Sequence, residues 1–445
     1  MSDGARPAGC ERTLRRLLWL GVALRLAVGV CLAPANNDPH IEFLQFLSDH
    51  GRLPFGGEIY ISFHPPLYYL VVAPIWFATH SAKAVQVFSV ALSLANLWLI
   101  HGFLARTALI ASDRGRVQAM ALVALLPQFV LFSSFLSNDP PAYLIGTSIL
   151  VLALAFAEAP TRGRVAGLGL AVGIGLLTKG TAIAFLPLLA GLVFAVGLRA
   201  RWRVAEHVRC LALFTAVAGT VGCYKFVENY EHFGVPILST DEVPQPWIAK
   251  QQPTYLGLRS LVDVNVGKLV REPELSRATK HSIPLLFYGT FWYSHIRESN
   301  FDHTRAGPWD FLPRTIYALA VVPTLLMLLG IGLAAARTLR LLRVFSLGEA
   351  EWRRVLGTAV ALGALLGQLG LVLAWGFEHD GWSFFQSRLV FAAFPSIALT
   401  LAWGLDAAAG GRPRLGRVLS VLLVCVHLAG TAWLVVEMSY ELLGA

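Results

Sequence analysis

The chain has 445 residues, of which 56% are hydrophobic and only 14% are charged. With a mean hydropathy of +0.61 and recurring apolar runs of membrane-spanning length, it is not an ordinary soluble protein, in which about 25% of residues are charged. The formal net charge of +9 comes largely from arginines in short loops between apolar runs, a pattern typical of cytoplasmic loops rather than of a nucleic-acid interface. The composition predicts an all-α polytopic membrane protein, with residues 1–445 forming one domain.

The N-terminal segment and the cysteines favour neither secretion nor a metal cluster. Arg12, Arg15 and Arg16 precede the first apolar run, and no convincing small-residue cleavage site follows it, so we predict an uncleaved first span. The five cysteines are scattered, mostly within apolar runs, and form no CxxC pair. A disulfide framework or a zinc cluster is therefore not expected.

Six arginine clusters orient the apolar runs. They are Arg12/Arg15/Arg16, Arg106/Arg114/Arg116, Arg162/Arg164, Arg199/Arg201/Arg203/Arg209, Arg337/Arg340/Arg343/Arg353/Arg354 and Arg412/Arg414/Arg417. Placing all six in the cytoplasm predicts about eleven transmembrane helices, with the N-terminus inside and the C-terminus outside. The predicted spans are residues 17–34, 84–106, 116–136, 141–157, 165–178, 180–198, 209–226, 312–336, 354–375, 388–406 and 416–437.

This topology leaves two long segments on the outer side, a first outer loop over residues 35–83 and a large outer loop over residues 227–311. The run from Pro65 to His80 is apolar and nearly long enough to cross, but crossing would reverse every later arginine cluster. We therefore predict a helix in the outer interface, where Tyr68, Tyr69 and Trp76 suit the headgroup level.

The predicted outer face gathers the side chains that could carry chemistry. A carboxylate there could act as a general base, and lysine and arginine could bind a phosphate. Titratable side chains at a membrane face are functional candidates. The candidates are Asp38, His40, Glu42 and His64 in the first outer loop, Asp139 in the second, Lys179 in a tight turn and Arg388 after the last inter-span loop.

Several of these residues also have a purely structural interpretation. Asp139 could cap the helix that follows it, Lys179 could extend its ammonium group toward the membrane surface, and Arg388 could anchor a span at the interface. His40 and His64 could orient a ligand, bind a metal or only form hydrogen bonds. The adjacent residues 378–380, Glu-His-Asp, have metal-ligand types, but sequence neighbours rarely hold one ion together, so we predict no metal and no cofactor.

Taken in chain order, these positions resemble the GT-C superfamily of glycosyltransferases that use polyprenyl-phosphate sugars. The branch with the protein O-mannosyltransferases and the lipid A aminoarabinose transferase has an acidic motif after its first span and then a His/Gln-Pro-Pro-Leu-Tyr-Tyr stretch. The corresponding elements here are Asp38–Tyr69, the second aspartate motif Ser137–Asp139, the Leu-Thr-Lys turn Leu177–Lys179, the Asn-Tyr-to-Gly element Asn229–Gly234 and the late arginine motif Gln386–Leu389.

The chain departs from this pattern in two motifs. The first family motif is often Asp-Glu, whereas Asn37 and Asp38 stand here, with His40 only two residues later. Glu42 is therefore the alternative to Asp38 as the base. In the late motif the family has Gly-Arg-Tyr, and only Arg388 carries over.

The resemblance implies an inverting glycosyltransferase that moves a sugar from a polyprenyl-phosphate donor to an acceptor hydroxyl at the outer, periplasmic or extracellular, face of the cell (inner) membrane. In that scheme Asp38 is the base, Lys179 and Arg388 bind the departing lipid phosphate, and Asp139 positions Lys179 or binds the acceptor. His40, Glu42 and His64 would contact substrate. The implied partners are the lipid-linked sugar, a lipid, glycan or protein acceptor, and membrane lipids, without nucleic acid.

Three other functions stay open on sequence grounds. A transporter or flippase would need charges near mid-membrane and repeated halves, whereas the candidate charges here cluster at one predicted face. A non-catalytic protein that binds lipid-linked glycans is compatible with the altered first motif. An enzyme of the glycan ligase or polymerase kind would depend on outer-loop arginines and histidine rather than on Asp38.

Overall fold

A computed structural model describes residues 8–34, 39–237, 258–273, 275, 277–293, 307–343 and 345–443. Within these ranges the chain forms helices and connecting loops, with no strand. The α-helices, numbered in chain order, are α1 (Ala8–Cys31), α2 (His40–His50), α3 (Leu67–Thr79), α4 (Ala82–Arg106), α5 (Asp113–Leu125), α6 (Pro127–Phe132), α7 (Asp139–Glu158), α8 (Arg162–Thr178), α9 (Phe185–Arg199), α10 (Val204–Gly222), α11 (Tyr224–Phe233), α12 (Leu258–Val262), α13 (Gly267–Arg271), α14 (Arg277–Lys280), α15 (Ile283–Trp292), α16 (Phe311–Thr338), α17 (Glu349–Glu378), α18 (Phe394–Ala409) and α19 (Pro413–Leu443). Short 3₁₀ segments cover Gly180–Ala184, Leu339–Arg343, Trp382–Phe384 and Ser387–Ala393.

Eight helical segments in the described ranges are long and apolar enough to cross a membrane, as a polytopic membrane protein requires. They are Ala82–Arg106, Asp139–Glu158, Gly180–Arg199, Val204–Gly222, Phe311–Arg343, Glu349–Glu378, Trp382–Ala409 and Pro413–Leu443. The other three predicted spans fall on α1, on α5 with α6, and on α8. Helix α1 carries several arginines, α5 ends before Pro127, and α8 has only 17 residues. The total of about eleven spans therefore stays a prediction.

Helix α3 occupies the apolar run for which an interfacial helix was predicted. Its 13 residues span about 20 Å at 1.5 Å per residue, less than the ~30 Å hydrocarbon core of a bilayer. Tyr68, Tyr69 and Trp76 are buried, however, and the Tyr68 hydroxyl lies 3.0 Å from Ser89 Oγ of α4. These aromatic side chains pack inside the protein instead of facing headgroups, while the interfacial position of α3 itself stays a prediction.

The break between α5 and α6 is stabilised by a buried arginine. Pro127 has no N–H, so it cannot bond back to the carbonyl of Val123 as a helical residue would. The guanidinium of Arg25, which is 1% exposed, donates to the carbonyls of Val123 at 3.1 Å and Ala124 at 3.3 Å. Its Nε donates to Ser93 Oγ at 2.9 Å. Arg25 therefore holds the end of α5 from which α6 departs.

A glycine allows α7 to lie directly against the 3₁₀ segment Ser387–Ala393. A Cβ atom at Gly146 would overlap the carbonyl oxygen of Ala392, so a larger residue would force the two backbones apart. One turn earlier, the Tyr143 hydroxyl donates to the carbonyl of Arg388 at 3.2 Å. This close packing fixes Arg388 beside the beginning of α7.

Candidate functional site

A cavity of about 410 Å³ lies where several helix ends meet the loop between α2 and α3. Its polar lining includes His64, Asn138, Asp139, Lys179, Lys225 and Arg388. Its apolar lining includes Leu176, Ile183, Leu371, Val372 and Trp375. Leu371 lies seven residues before Glu378, the end of α17, which is about 10 Å along the helix axis. Apolar lining therefore continues along a helix that is long enough to span a membrane.

The centre of the polar lining is one carboxylate with two cations. Asp139 is the first residue of α7, where the helix dipole favours a negative charge. Its Oδ1 pairs with Lys179 Nζ, and its Oδ2 lies 3.6 Å from a terminal nitrogen of Arg388. The exposed fractions of the three side chains are 2% for Asp139, 11% for Lys179 and 10% for Arg388. Asp139 therefore makes buried ion pairs in the first turn of α7.

Lys179 reaches this position because α8 ends at Thr178. Lys179 is extended, with φ −155° and ψ 129°, and a 3₁₀ segment begins at Gly180. The break turns the lysine away from the helix axis and toward Asp139. Since Lys179 is buried, its ammonium group is paired inside the protein, contrary to the interpretation that it extends to the membrane surface.

Arg388 is held by contacts on several sides. Its Nε donates to Gln386 Oε1 at 2.7 Å, and its guanidinium carbon lies 5.1 Å from the ring centroid of Phe132 in α6. Its backbone carbonyl accepts the hydrogen bond from Tyr143. Because Arg388 is buried, it is part of the cavity wall instead of an exposed interface anchor.

His64 is joined to the cluster through Asn138. The Asn138 side-chain nitrogen lies 3.2 Å from His64 Nδ1 and donates to the Thr178 carbonyl at 3.4 Å. His40 is buried behind His64: their ring centroids are 5.6 Å apart, and His40 Nδ1 lies 2.7 Å from the Tyr69 hydroxyl. His64 lines the cavity, whereas His40 does not.

The remaining candidate residues lie elsewhere. Glu42 is exposed in the first turn of α2 and does not line the cavity. Asp38, the predicted base, lies outside the described residues, as do Arg297 and Trp247, two further residues of the predicted large outer loop that could contact substrate. In the described part of the chain, no three His, Cys, Asp or Glu side chains are grouped so that they could hold a metal ion.

Aromatic side chains of the predicted outer loops lie in two environments. Phe384 lines the cavity. Trp292 and Tyr293 are 1% and 2% exposed, and the Trp292 indole N–H donates to Thr324 Oγ1 at 2.9 Å. Both are core residues here, so neither side chain is exposed to stack on a sugar or to face lipid headgroups in the shape that the structure describes.

Lys225 is a cavity-lining cation that the sequence prediction missed. It lies in α11, beyond the span that ends at Gly222. Its ammonium group donates to the Ser62 carbonyl at 2.6 Å and pairs with Glu228. Burial lowers the pKa of Lys225 and the hydrogen bond to Glu228 opposes that shift. A lysine directly after an apolar run could have indicated a cation at the membrane face. It was missed because the predicted span continued to residue 226 and so included Lys225.

Comparisons with known proteins find a likeness of structure without a likeness of sequence. No protein-family model and no curated protein matches the chain. The crystal structure of the Archaeoglobus fulgidus oligosaccharyltransferase in the apo form superposes with a TM-score of 0.51 and 13% identity, over 99% of this chain and 56% of that chain. The same enzyme in complex with Zn and sulfate gives 0.51 and 15% identity, over 96% and 53%.

The chain thus spans little more than half the length of the solved proteins that it resembles. The oligosaccharyltransferase is a GT-C superfamily glycosyltransferase, so the resemblance to that superfamily is confirmed at the level of the fold. The narrower resemblance to the O-mannosyltransferase and aminoarabinose transferase branch stays a prediction. At these identities the likeness concerns architecture alone, and on that basis the chain has the GT-C fold.

Proposed function

We propose that the protein is an inverting glycosyltransferase that transfers a sugar from a polyprenyl-phosphate donor to an acceptor hydroxyl at the outer face of the cell membrane. The observation that carries the proposal is the buried cluster in which Lys179 and Arg388 both face Asp139. The same cavity has apolar walls. An anionic phosphate attached to a hydrocarbon chain suits both kinds of lining.

The two cations would bind the phosphate of the donor. Lysine acts as a point charge and arginine as a planar fork that matches phosphate oxygens. Gln386 and Phe132 fix the orientation of the Arg388 guanidinium, so little reorganisation is needed when the phosphate arrives. A solved protein of similar fold was crystallised with sulfate, which is a tetrahedral oxyanion like phosphate.

The bond changes explain why fixed cations would accelerate the reaction. The acceptor oxygen bonds to the anomeric carbon as the bond from that carbon to the phosphate oxygen breaks. The base takes the acceptor proton, and the lipid phosphate leaves with the bonding electrons. Because negative charge on the phosphate grows during this step, Lys179 and Arg388 stabilise the transition state more than the bound donor.

The apolar lining would hold the beginning of the lipid chain. Leu371, Val372 and Trp375 follow α17 away from its polar end, and Ile183 lies in the adjoining 3₁₀ segment. A volume of about 410 Å³ lies within the range of pockets for small ligands and suits a sugar phosphate with its first isoprene unit. The rest of the polyprenyl chain would lie in the bilayer.

We assign the general base to Asp38. This residue lies outside the described part of the chain, but it is joined through Pro39 to His40, which packs beside the cavity-lining His64. Asp139 is less suited to proton transfer because each of its oxygens faces a cation, and we assign it to positioning Lys179 and Arg388. Glu42, the sequence-based alternative, is exposed on α2.

The proposal is tested by sugar release from radiolabelled polyprenyl-phosphate sugars. The purified, detergent-solubilised protein is incubated with a panel of donors, beside Asp38→Asn and, as a matched carboxylate-to-amide control, Glu42→Gln. We expect turnover of one donor, loss of that turnover in Asp38→Asn and retention in Glu42→Gln. Donor turnover that survives Asp38→Asn would support the ligase-like alternative, and no turnover or binding of any donor would support a transporter.

A further inference from the structure

The orientation of the Asn138 amide is determined by its two neighbours. The Thr178 carbonyl, 3.4 Å away, can only accept a hydrogen bond, so the group that faces it must be the NH₂ of Asn138. The same NH₂ lies 3.2 Å from His64 Nδ1. One amide hydrogen therefore points to the carbonyl at the end of α8, and the other points to the imidazole.

This orientation determines where the neutral imidazole carries its proton. Because Asn138 donates to Nδ1, that nitrogen must present its lone pair, and the ring proton lies on Nε2. Nε2 can then donate a hydrogen bond but cannot accept a proton. His64 is also a cavity-lining residue, on the wall that contains Asp139 and Lys179.

We propose that Asn138 is a positioning residue that fixes the Nε2–H tautomer of His64, and that His64 consequently binds an oxygen of the donor substrate as a hydrogen-bond donor and not as a general base. The identity of that substrate rests on the proposed function. The tautomer does not, because it follows from the contacts among His64, Asn138 and Thr178.

The chain offers substitutions that separate a donor from a base. In His64→Gln the amide nitrogen can replace Nε2–H as a donor, whereas His64→Glu supplies a carboxylate that accepts. Asn138→Asp replaces the donating NH₂ by an oxygen that can only accept, which draws the imidazole proton to Nδ1 and leaves the lone pair on Nε2. These variants keep side chains of similar size at both positions.

The tautomer is measured first, by ¹⁵N NMR of the full-length protein labelled at histidine in detergent. The His64 signals are assigned by their disappearance in His64→Gln. We expect a protonated Nε2 and an unprotonated Nδ1 in the wild type, and a protonated Nδ1 in Asn138→Asp. A protonated Nδ1 with unprotonated Nε2 in the wild type would overturn the proposal, whether or not any donor is turned over.

The second measurement concerns a donor that the wild type turns over. His64→Gln should keep turnover within about tenfold, while His64→Glu and Asn138→Asp should lose about 10²–10³-fold, the usual effect of removing one positioned donor. The oxygen that His64 contacts is identified by comparing how tightly His64→Glu binds polyprenyl phosphate and the sugar-bearing donor. Weaker binding of both ligands indicates a phosphate oxygen. Weaker binding of the sugar-bearing donor alone indicates a sugar hydroxyl. An active His64→Glu beside an inactive, folded His64→Gln would identify a base and overturn the proposal.

Discussion

The carboxylate of Asp139, the first residue of α7, pairs with the ammonium group of Lys179, the residue that follows α8. The two side chains are 40 positions apart in sequence and are buried together. Removing a charge from water costs several kcal/mol, and its partner offsets that cost only while both are present. The pair therefore couples the ends of two helices to each other and to the contents of the cavity.

Because the charges depend on each other, removing one should cost more than removing both. Asp139→Asn leaves Lys179 and Arg388 without their shared carboxylate, and we expect a loss of about 3–5 kcal/mol in the free energy of unfolding. The double variant Lys179→Met with Asp139→Asn should recover part of that loss. Thermal unfolding of both variants in detergent measures the difference, and additive losses would contradict a coupled pair.

Arg388 should not be replaceable by lysine. The lysine keeps the charge but lacks the planar fork and the nitrogen that donates to Gln386 Oε1. We expect Arg388→Lys to lower donor turnover about 10²–10³-fold while the protein stays folded. Arg314→Lys is the control, since Arg314 is 48% exposed and its partner Asp310 is 49% exposed. Equal turnover by the two variants would remove Arg388 from the site.

Gly146→Ala should disturb the site from a distance. The added methyl group meets the Ala392 carbonyl, so α7 and the segment that carries Arg388 must separate. We expect a loss of about 1–3 kcal/mol in stability and a lower turnover. Gly167→Ala in α8 is the matched control, because no atom from outside the adjoining helix backbone lies within 4 Å of its added Cβ, and a helical alanine should stabilise by about 0.5–1 kcal/mol. If both variants behave alike, close packing at Gly146 does not position Arg388.

The loop between α2 and α3 should loosen in acid. Two hydrogen bonds from Arg52, at 2.6 and 2.8 Å, lower the pKa of Glu58 below its ordinary value of 4.5. A carboxylate whose pKa is lower in the folded state adds stability above its unfolded pKa, and that contribution is lost as the pH falls through the folded pKa.

This sign can be checked with Glu58→Gln. The thermal midpoint of the wild type should exceed that of the variant near neutral pH, and the difference should shrink once the pH falls below about 4.5. Since Arg52 is largely exposed, the difference should also weaken at high salt. A difference that is constant over this pH range would show that the carboxylate charge contributes nothing to the loop.

The charged residues of the site could be predicted from sequence because charge beside an apolar span is costly without a function. Asp139, Lys179 and Arg388 were expected at one face, and they do meet at one cavity. Their amide neighbours Asn138 and Gln386 were not singled out. Neutral polar side chains are common in loops, and their role depends on which atoms lie beside them in space.

Other features were ambiguous because two environments favour the same residue types. Tyr68 and Tyr69 suit a membrane interface and a packed core equally well by composition, and the structure buries them. The GT-C fold and the break after Thr178 followed from the order of the motifs and the tight turn at Lys179. The break at Pro127, in contrast, lies inside one predicted span, and the Arg25 contacts that stabilise it come from a distant helix. Where an apolar helix is interrupted, as after Thr178, a polar side chain such as Lys179 can line the cavity.

The central claim is that the cluster of Asp139, Lys179 and Arg388 binds a lipid phosphate. The most direct measurement compares equilibrium binding of a polyprenyl phosphate with binding of the matching polyprenol, for the purified wild type and for Lys179→Met. We predict that the wild type binds the polyprenyl phosphate more tightly than the polyprenol. The substitution should lower the ratio of the two affinities at least tenfold, which corresponds to about 1.4 kcal/mol. Equal affinity of the wild type for the two lipids, or an unchanged preference in Lys179→Met, would contradict the claim.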